Sequence, residues 1–556
     1  MKKEIAKLIS KHTKLNPKKI ESLIEIPPNH EMGDYAFPCF ILSKEKKKNP
    51  VNICEDLKEK IKSNKIIDRI EAKGPYLNFF INKETFIQDI IKDSIKPDFG
   101  KKKIKKTGMI EFSQANTHKA FHIGHVRNTS LGESLARIAE WFGEKVIRAN
   151  YEGDTGMHVA KWIWNYNKYH KKKELQNQES WIASMYVEAI KRLAVHKEFE
   201  SEVEEINRKL DQGSDKSLNE LWKRSRKYSL DALEPIYKEL NTKFDRYYFE
   251  SQVEKQGKKI AQQLVKKGIA KISDGATIID LEKYGLSVWV LLRKDGTVLY
   301  SAKDLVLAEK KFKDFKLDWS VYVIADEQNL HMKQLFKTLE LMKFKNLKKM
   351  HHVSYGLVRL PTGRMSSRTG ENILYSDFRK ELIKYAKKGI KEKWPKISQK
   401  ELEDRAIKIS VGAMKYTMLS QDPKKIIIFD KNQAMRFEGD TGPYLQYSYA
   451  RASSIIRKSN KKPKLKIPNN IQDKEFVLVK KISDFPDVVE NAYNKFAPNL
   501  IANYAYQLAG IFNEFYHDAK VIESEEEEFR LILVDSFRNT LKDCLYLLGI
   551  DTMEEM

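Results

Sequence analysis

Cysteine is scarce in this chain of 556 residues: Cys39, Cys54 and Cys544 are the only three, far apart and without a Cys-x-x-Cys pair. That spacing argues against a zinc ribbon and a disulfide framework, and it suits a reducing cytoplasm. No run of about 18 uninterrupted apolar residues occurs, so no membrane span is expected. The N-terminal stretch MKKEIAKLISKHTKL lacks the apolar core of a signal peptide and reads as an amphipathic helix. Internal repeats are absent too. What abounds is positive charge, with Lys+Arg at 102 against Asp+Glu at 77, a net +25 and a pI near 9.4. Such an excess favours a polyanionic partner, nucleic acid above all, although solvated lysine-rich faces would give the same count.

The length allows about three domains. Residues 1–100 read as a small α+β module, punctuated by Pro27, Pro28, Gly33 and Pro38 and carrying the apolar strand GPYLNFFIN. Its Tyr76 and Asn78 could stack on and hydrogen-bond unpaired bases, although some of these rings must serve the core. A basic linker of five lysines between Lys101 and Lys106 leads into residues 101–425, where strands and helices alternate. Strands are expected at 108–112, 146–149, 297–300, 321–325 and 352–355, and helices at 304–312 and 329–342. This pattern implies a doubly wound parallel α/β sheet, interrupted by a charged helical insertion at about 162–259. Residues 426–556 turn wholly helical, with the acidic run Glu523 to Glu528 as an exposed turn.

The chain is organised around Gly108 to Asn150. A short apolar run ends in Phe112, a polar turn carries Asn116, Lys119, His122, Gly124 and His125, and apolar residues then recur at helical spacing up to a capping Gly143. At a helix N-terminus the free N–H groups and positive potential favour phosphate, and two imidazoles there can donate to phosphoryl oxygens. Gly124 lets a nucleotide ring approach the backbone.

Strand, His122-Ile-Gly-His125, helix, strand resembles the signature of class I aminoacyl-tRNA synthetases. The fuller match from Glu111 to Arg127, with Tyr300-x-x-x-Asp304, Gln328-Asn-Leu-His331, His352-Val-Ser-Tyr-Gly356 and Thr441-Gly-Pro-Tyr-Leu-Gln-Tyr447, resembles the arginyl-tRNA synthetases over nearly the whole chain. The resemblance implies arginyl-adenylate formation from ATP, with Mg²⁺ and no zinc, and then transfer to tRNA(Arg), by a cytoplasmic monomer whose activation step also needs tRNA. Neither step needs a covalent nucleophile, so placement and stabilisation of phosphoryl charge carry the work. His122, Gly124 and His125 would meet ATP. The family's lysine-containing triphosphate loop is altered to Arg364-Met365-Ser366-Ser367-Arg368. Lys119 stands where related enzymes lacking the loop lysine carry one, although it could be a solvated turn lysine.

For arginine, the resemblance implies Glu111, Asn116, Tyr300, Asp304 and Gln328, with carboxylates meeting the guanidinium in charge-assisted pairs. Asp304 could instead be a plain helix cap. For tRNA it implies an N-terminal module with Tyr76 and Asn78 at the D-loop, where Lys73 replaces an asparagine. It also implies an anticodon-binding bundle with Tyr444, Tyr447, Phe512, Tyr516 and Met556, unless those rings are core. Two rivals keep parts of this picture: a class I synthetase for another amino acid, or an RNA-binding paralogue without catalysis.

Overall fold

The computed structural model describes residues 1–27, 30–361 and 374–556, so Arg364, Met365, Ser366, Ser367 and Arg368 lie outside the described residues. Two compact units emerge, one of residues 1–99, 452–486 and 508–540, the other of residues 100–451, 487–507 and 541–556.

The larger unit is built on five parallel strands in the order Met350–Tyr355, Trp319–Ala325, Thr107–Glu111, Lys145–Glu152 and Arg246–Phe249. The chain starts at the middle strand, runs out to one edge, then returns to fill the other side. Its order therefore reverses between Thr107–Glu111 and Trp319–Ala325, and ligands of such sheets sit beyond the carboxyl ends of the strands at that reversal. The helix Ile123–Trp141 packs tightly on the middle strand because Gly132 faces Phe112, where a β-carbon would lie only 2.1 Å from the ring. Gly143 ends that turn in the left-handed conformation, φ +80°, as its position implied.

Two expectations are corrected, and one further sheet appears. The edge strand Arg246–Phe249 lies inside the stretch read as helical insertion, so the inserted helices Met157–Asn165, Glu179–Val195, Glu200–Gln212 and Lys216–Glu239 end before it. A four-residue strand flanked by long charged helices leaves little periodic signal. Residues 271–292 form a separate antiparallel sheet of Lys271–Ser273, Ala276–Asp280 and Val288–Leu292. Residues 297–300 are not a strand: a tight return gives one Leu292–Val298 bridge, and Tyr300 already opens the helix Tyr300–Asp314.

Residues 541–556 belong to this unit. Ser134 donates to the Leu547 carbonyl (2.8 Å), Arg137 to that of Tyr546 (3.0 Å), Lys415 to that of Gly549 (2.9 Å) and Gln446 to that of Asp551 (2.9 Å).

In the smaller unit, an antiparallel sheet in the order Tyr35–Pro38, Tyr76–Ile81, Ile67–Lys73 is joined by residues of the C-terminal helices, with Phe86 edge-on to Phe476 at 5.8 Å. The thiols of Cys39 and Cys54, separate in sequence, meet in its core. Two proposed RNA contacts are corrected here. Phe512 has no exposed surface and stacks flat on Phe537 with centroids 3.8 Å apart, so it is core and offers no face to a base. Asn78 is 4% exposed beneath the Gly33 turn and cannot reach one either. Half-buried Tyr76, edge-on to the exposed Phe40, and Tyr516 keep accessible ring surface.

Candidate active site

The turn from the middle strand into the Ile123–Trp141 helix is strained. Ser113, Gln114 and His118 take left-handed conformations, φ +73°, +56° and +61°, each costing about 1–3 kcal/mol for a residue with a side chain. Side chains from elsewhere hold all three: the N–H of Ser113 donates to Asn128 Oδ1 (2.9 Å), that of Gln114 to Asn150 Oδ1 (3.0 Å) and that of His118 to Ser229 Oγ (2.9 Å). The inserted helices thus support the site. They also supply Glu179, whose carboxylate accepts from the Phe121 N–H at 3.1 Å, and Tyr186, whose ring lies 5.6 Å from the Lys119 ammonium.

His122 caps the helix. Its Nδ1 accepts from the Gly124 N–H (3.2 Å), while its own N–H donates to His125 Nδ1 (3.1 Å), and the rings stack 3.8 Å apart. With both Nδ1 atoms accepting, each neutral ring carries its proton on Nε2 and presents an Nε2–H donor. Burial holds both imidazoles neutral: His122 is pushed down to about 4 and His125 well below the usual histidine range, with Lys119 adding a smaller push. Lys119 is lowered by its own burial, opposed by Glu250. The chain leaving the undescribed stretch returns to this turn, with Leu374 bridging His122 and the Tyr375 N–H donating to the Phe121 carbonyl at 2.9 Å.

On the other side of the reversal, Asp304 accepts from His331 Nε2 at 2.7 Å, and His331 Nδ1 in turn accepts from the Trp289 indole at 3.3 Å. Tyr300, 53% exposed, lies edge-on to His331 at 4.6 Å. Glu111 is buried, and its oxygens are met by Gln114 (3.1 Å) and by Lys311 (2.5 Å). Burial pushes its carboxyl above the usual range, and Lys311 pulls it back. The hydroxyls of Tyr151 and Tyr322, both close enough to Glu111 and Asp304 to feel their charge, find no hydrogen-bond partner among the described residues. Orphaned buried oxygens beside carboxylates are what a donor-rich guanidinium would satisfy. Asn116 lies against Gly153, close to Glu250, which with Glu254 holds Lys303 at 2.9 and 3.4 Å. Gln328 is exposed at the end of a short helical turn, Asp326–Gln328.

The sequence therefore named Glu111, Asn116, Lys119, His122, Gly124, His125, Tyr300 and Asp304, which gather at the carboxyl ends of the strands. It assigned no role to Gln114, Tyr151, Lys311 and Tyr322, nor to His331, which it quoted only within a motif. Of these, Lys311 had a signal, because it lies two helical turns from Asp304 on the same face.

Three family models tile the chain: the arginyl-tRNA synthetase N-terminal domain over residues 1–81, the class I (R) tRNA synthetase catalytic domain over residues 87–430, and the DALR anticodon binding domain over residues 445–556. The chain belongs to the class I arginyl-tRNA synthetases. Relatives named arginine–tRNA ligase from Clostridium acetobutylicum and Clostridium botulinum are 35% and 37% identical to it, each alignment covering 100% of both sequences. The solved arginyl-tRNA synthetase of Thermus thermophilus superposes with a TM-score of 0.80 at 26% identity, covering 96% of each chain.

A second concavity in this synthetase's larger unit, about 510 Å³, is lined by Tyr444, Tyr447 and Met556 together with Trp394, Phe437, Lys393 and Arg451. Lys393 and Arg451 each lie 4.8 Å from the Tyr447 ring centroid, and Lys393 also holds the Met556 carbonyl at 2.8 Å. Trp394 and Phe437 were not singled out by sequence. Among the described residues no group of three His, Cys, Asp or Glu could hold a metal ion, and no helix is long and apolar enough to cross a membrane.

Proposed function

We propose that the chain ligates L-arginine to tRNA(Arg) in two steps, activating the amino acid with ATP and passing it to the terminal ribose. The observation that carries the reading is the pairing of two neutral Nε2–H donors with a carboxylate pocket across one topological reversal.

In the first step the arginine carboxylate attacks the ATP α-phosphate, and the α–β bond breaks to release pyrophosphate. His122 and His125 donate to phosphoryl oxygens as negative charge builds there. A neutral donor does this without releasing a proton, and its fixed tautomer spares reorganisation. Lys119 adds the cation that the altered loop lacks at Ser367, and Arg364 and Arg368 are the positive charges that the loop itself carries. Asp304 accepts from the guanidinium, with Glu111 and Tyr300 bounding the pocket and Asn116 and Gln328 orienting the polar ends of the substrate. Lysine or citrulline would leave buried acceptors unpaired, so binding alone can discriminate strongly. In the second step a hydroxyl of the tRNA terminal ribose attacks the acyl carbon and adenylate leaves.

Mg²⁺ accompanies the nucleotide, whose phosphates are its natural ligands. The cation-flanked aromatic concavity supports base stacking by Tyr444 and Tyr447 beside Met556, and Tyr76 and Tyr516 remain candidates for further contacts. We expect a cytoplasmic monomer.

The test is aminoacylation of total tRNA with each of the amino acids in turn, beside pyrophosphate exchange with and without tRNA. Charging with arginine alone upholds the proposal. Charging with another amino acid overturns the pocket, and tRNA binding without charging favours a non-catalytic paralogue.

A further inference from the structure

The two carboxylates of the amino-acid pocket are not equivalent. Asp304 gives one oxygen to His331, and a fifth of its side chain stays exposed. Glu111 is buried with Oε1 held by Gln114 and Oε2 by Lys311. Lys311 sits seven residues after Asp304 on the Tyr300–Asp314 helix, which returns it to the same face. It has no exposed surface, and its ammonium lies 3.7 Å from the ring centroid of Tyr322, on the neighbouring strand Trp319–Ala325. Glu111, Asp304 and Lys311 together leave one negative charge, the complement of a single guanidinium.

We infer that Lys311 is a positioning residue for amino-acid recognition: its ammonium occupies Glu111, so that Asp304 alone presents a free carboxylate to the substrate, and it ties the helix bearing Tyr300 and Asp304 to the strand bearing Glu111. The inference rests on the arginine-ligase reading above. A buried carboxylate that loses its partner cation and still faces a second carboxylate takes up a proton. Among the described residues, the groups around Lys311 offer no substitute cation. Glu111 and Gln114 face it from the middle strand and its turn, Asp304 from its own helix, and Tyr322 from the next strand. The titratable groups coupled to that set are the neutral phenols of Tyr151 and Tyr248 and the carboxylate of Glu250, with His331 bonded to Asp304. Lys303, another buried lysine on the same helix, is itself held by Glu250 and Glu254.

The experiment compares the full chain with Lys311→Met, Lys311→Arg, Glu111→Gln and the double variant Lys311→Met/Glu111→Gln, reading KM for arginine and kcat from roughly pH 6 to 8.5, with a melting curve for each. Wild-type KM should be flat over that range. In Lys311→Met the KM at neutral pH should rise about tenfold, with kcat changed far less. That KM should fall again as pH rises, because a protonated Glu111 donates to Asp304 and occupies its open oxygen, and deprotonation releases it. Lys311→Arg should restore a value within about threefold of wild type, since it restores the cation. In the double variant the pH dependence should vanish and KM should match that of Glu111→Gln alone. An unchanged KM and pH profile in Lys311→Met overturns the inference. So does a double variant about tenfold worse than Glu111→Gln, and that comparison decides the matter even when Lys311→Met does not fold. A wild-type chain that fails to charge arginine sinks the ligase reading instead, and normal wild-type charging with indifferent Lys311 variants sinks only this inference.

Discussion

At the start of the Ile123–Trp141 helix two imidazoles stack with centroids 3.8 Å apart, and burial strips both of charge. Where the Tyr300–Asp314 helix meets the end of the middle strand the polar groups are carboxylates, each with a specific partner, His331 on Asp304 and Lys311 on Glu111. In the proposed reaction the difference follows the substrates. A guanidinium is cationic before, during and after the reaction, so a permanent counter-charge serves throughout. Charge on a phosphoryl group redistributes as its bonds change, and prearranged neutral donors stabilise it without binding the ground state as tightly as fixed cations would.

That contrast can be broken in order of expected effect. Asp304→Ala removes the free acceptor and strands the donors around it, so kcat/KM for arginine should fall about a hundred- to a thousandfold. An unchanged value would mean that the guanidinium binds elsewhere. His125→Ala should lower kcat about a hundredfold by deleting one donor, with KM for arginine little altered. A large change in arginine KM instead would erase the distinction between the two sides.

The same side predicts a pH response. With His122 at about 4, the working neutral form persists well below neutrality, so kcat should be flat through the usual histidine range and fall only toward pH 4. Stability should respond differently. For His122, at about 4, and the fully buried His118, at about 3, the folded value lies below the unfolded one of about 6.5. The unfolded chain therefore binds more protons between those values. Each such histidine contributes stability that is intact above pH 6.5 and lost as pH falls, by up to about 1.4 kcal/mol per unit. Urea midpoints measured from pH 7 to 4.5 check the sign.

Lys119→Ala should slow pyrophosphate exchange about tenfold, the loss of one partly buried cation near the transferring phosphate, and leave the Kd for tRNA nearly alone. A collapse of tRNA binding would make Lys119 a contact to the nucleic-acid backbone. Gly153→Ala is the mildest. Its β-carbon would lie 2.4 Å from Asn116 Oδ1, and the amide can swing aside, so KM for arginine should rise about threefold while the melting temperature barely moves.

The strand–turn–helix carrying His122 and His125 was legible in the sequence because local pattern and local structure agree there: an apolar run, a polar turn, helical spacing, a capping glycine. The carboxylate side was legible only in part. Asp304 and Tyr300 announce themselves at a helix start, but the partners that define the two carboxylates, His331 in the first turn of its helix and Lys311 about three turns into another, sit where a histidine or lysine looks like surface. The edge strand Arg246–Phe249 was hidden because four residues cannot display a period. Phe512 and Tyr516 shared one helical spacing yet met opposite fates, core and surface, because spacing says that two rings lie on one side and not how deep that side is buried.

The hydrogen bonds from Ser134, Arg137, Lys415 and Gln446 to residues 547–551 bear on how the chain is made. The bond from Ser134 reaches across 413 positions of sequence. At about 5–20 residues per second of synthesis, tens of seconds separate the emergence of those two partners. During that interval the helix Ile123–Trp141 waits with its far face uncovered, so folding from the N-terminus can begin this strand–turn–helix but not close it. Such an interval invites chaperone capture, and a mutation that weakens this closing contact should lower the yield of soluble enzyme before it lowers the turnover of the molecules that mature.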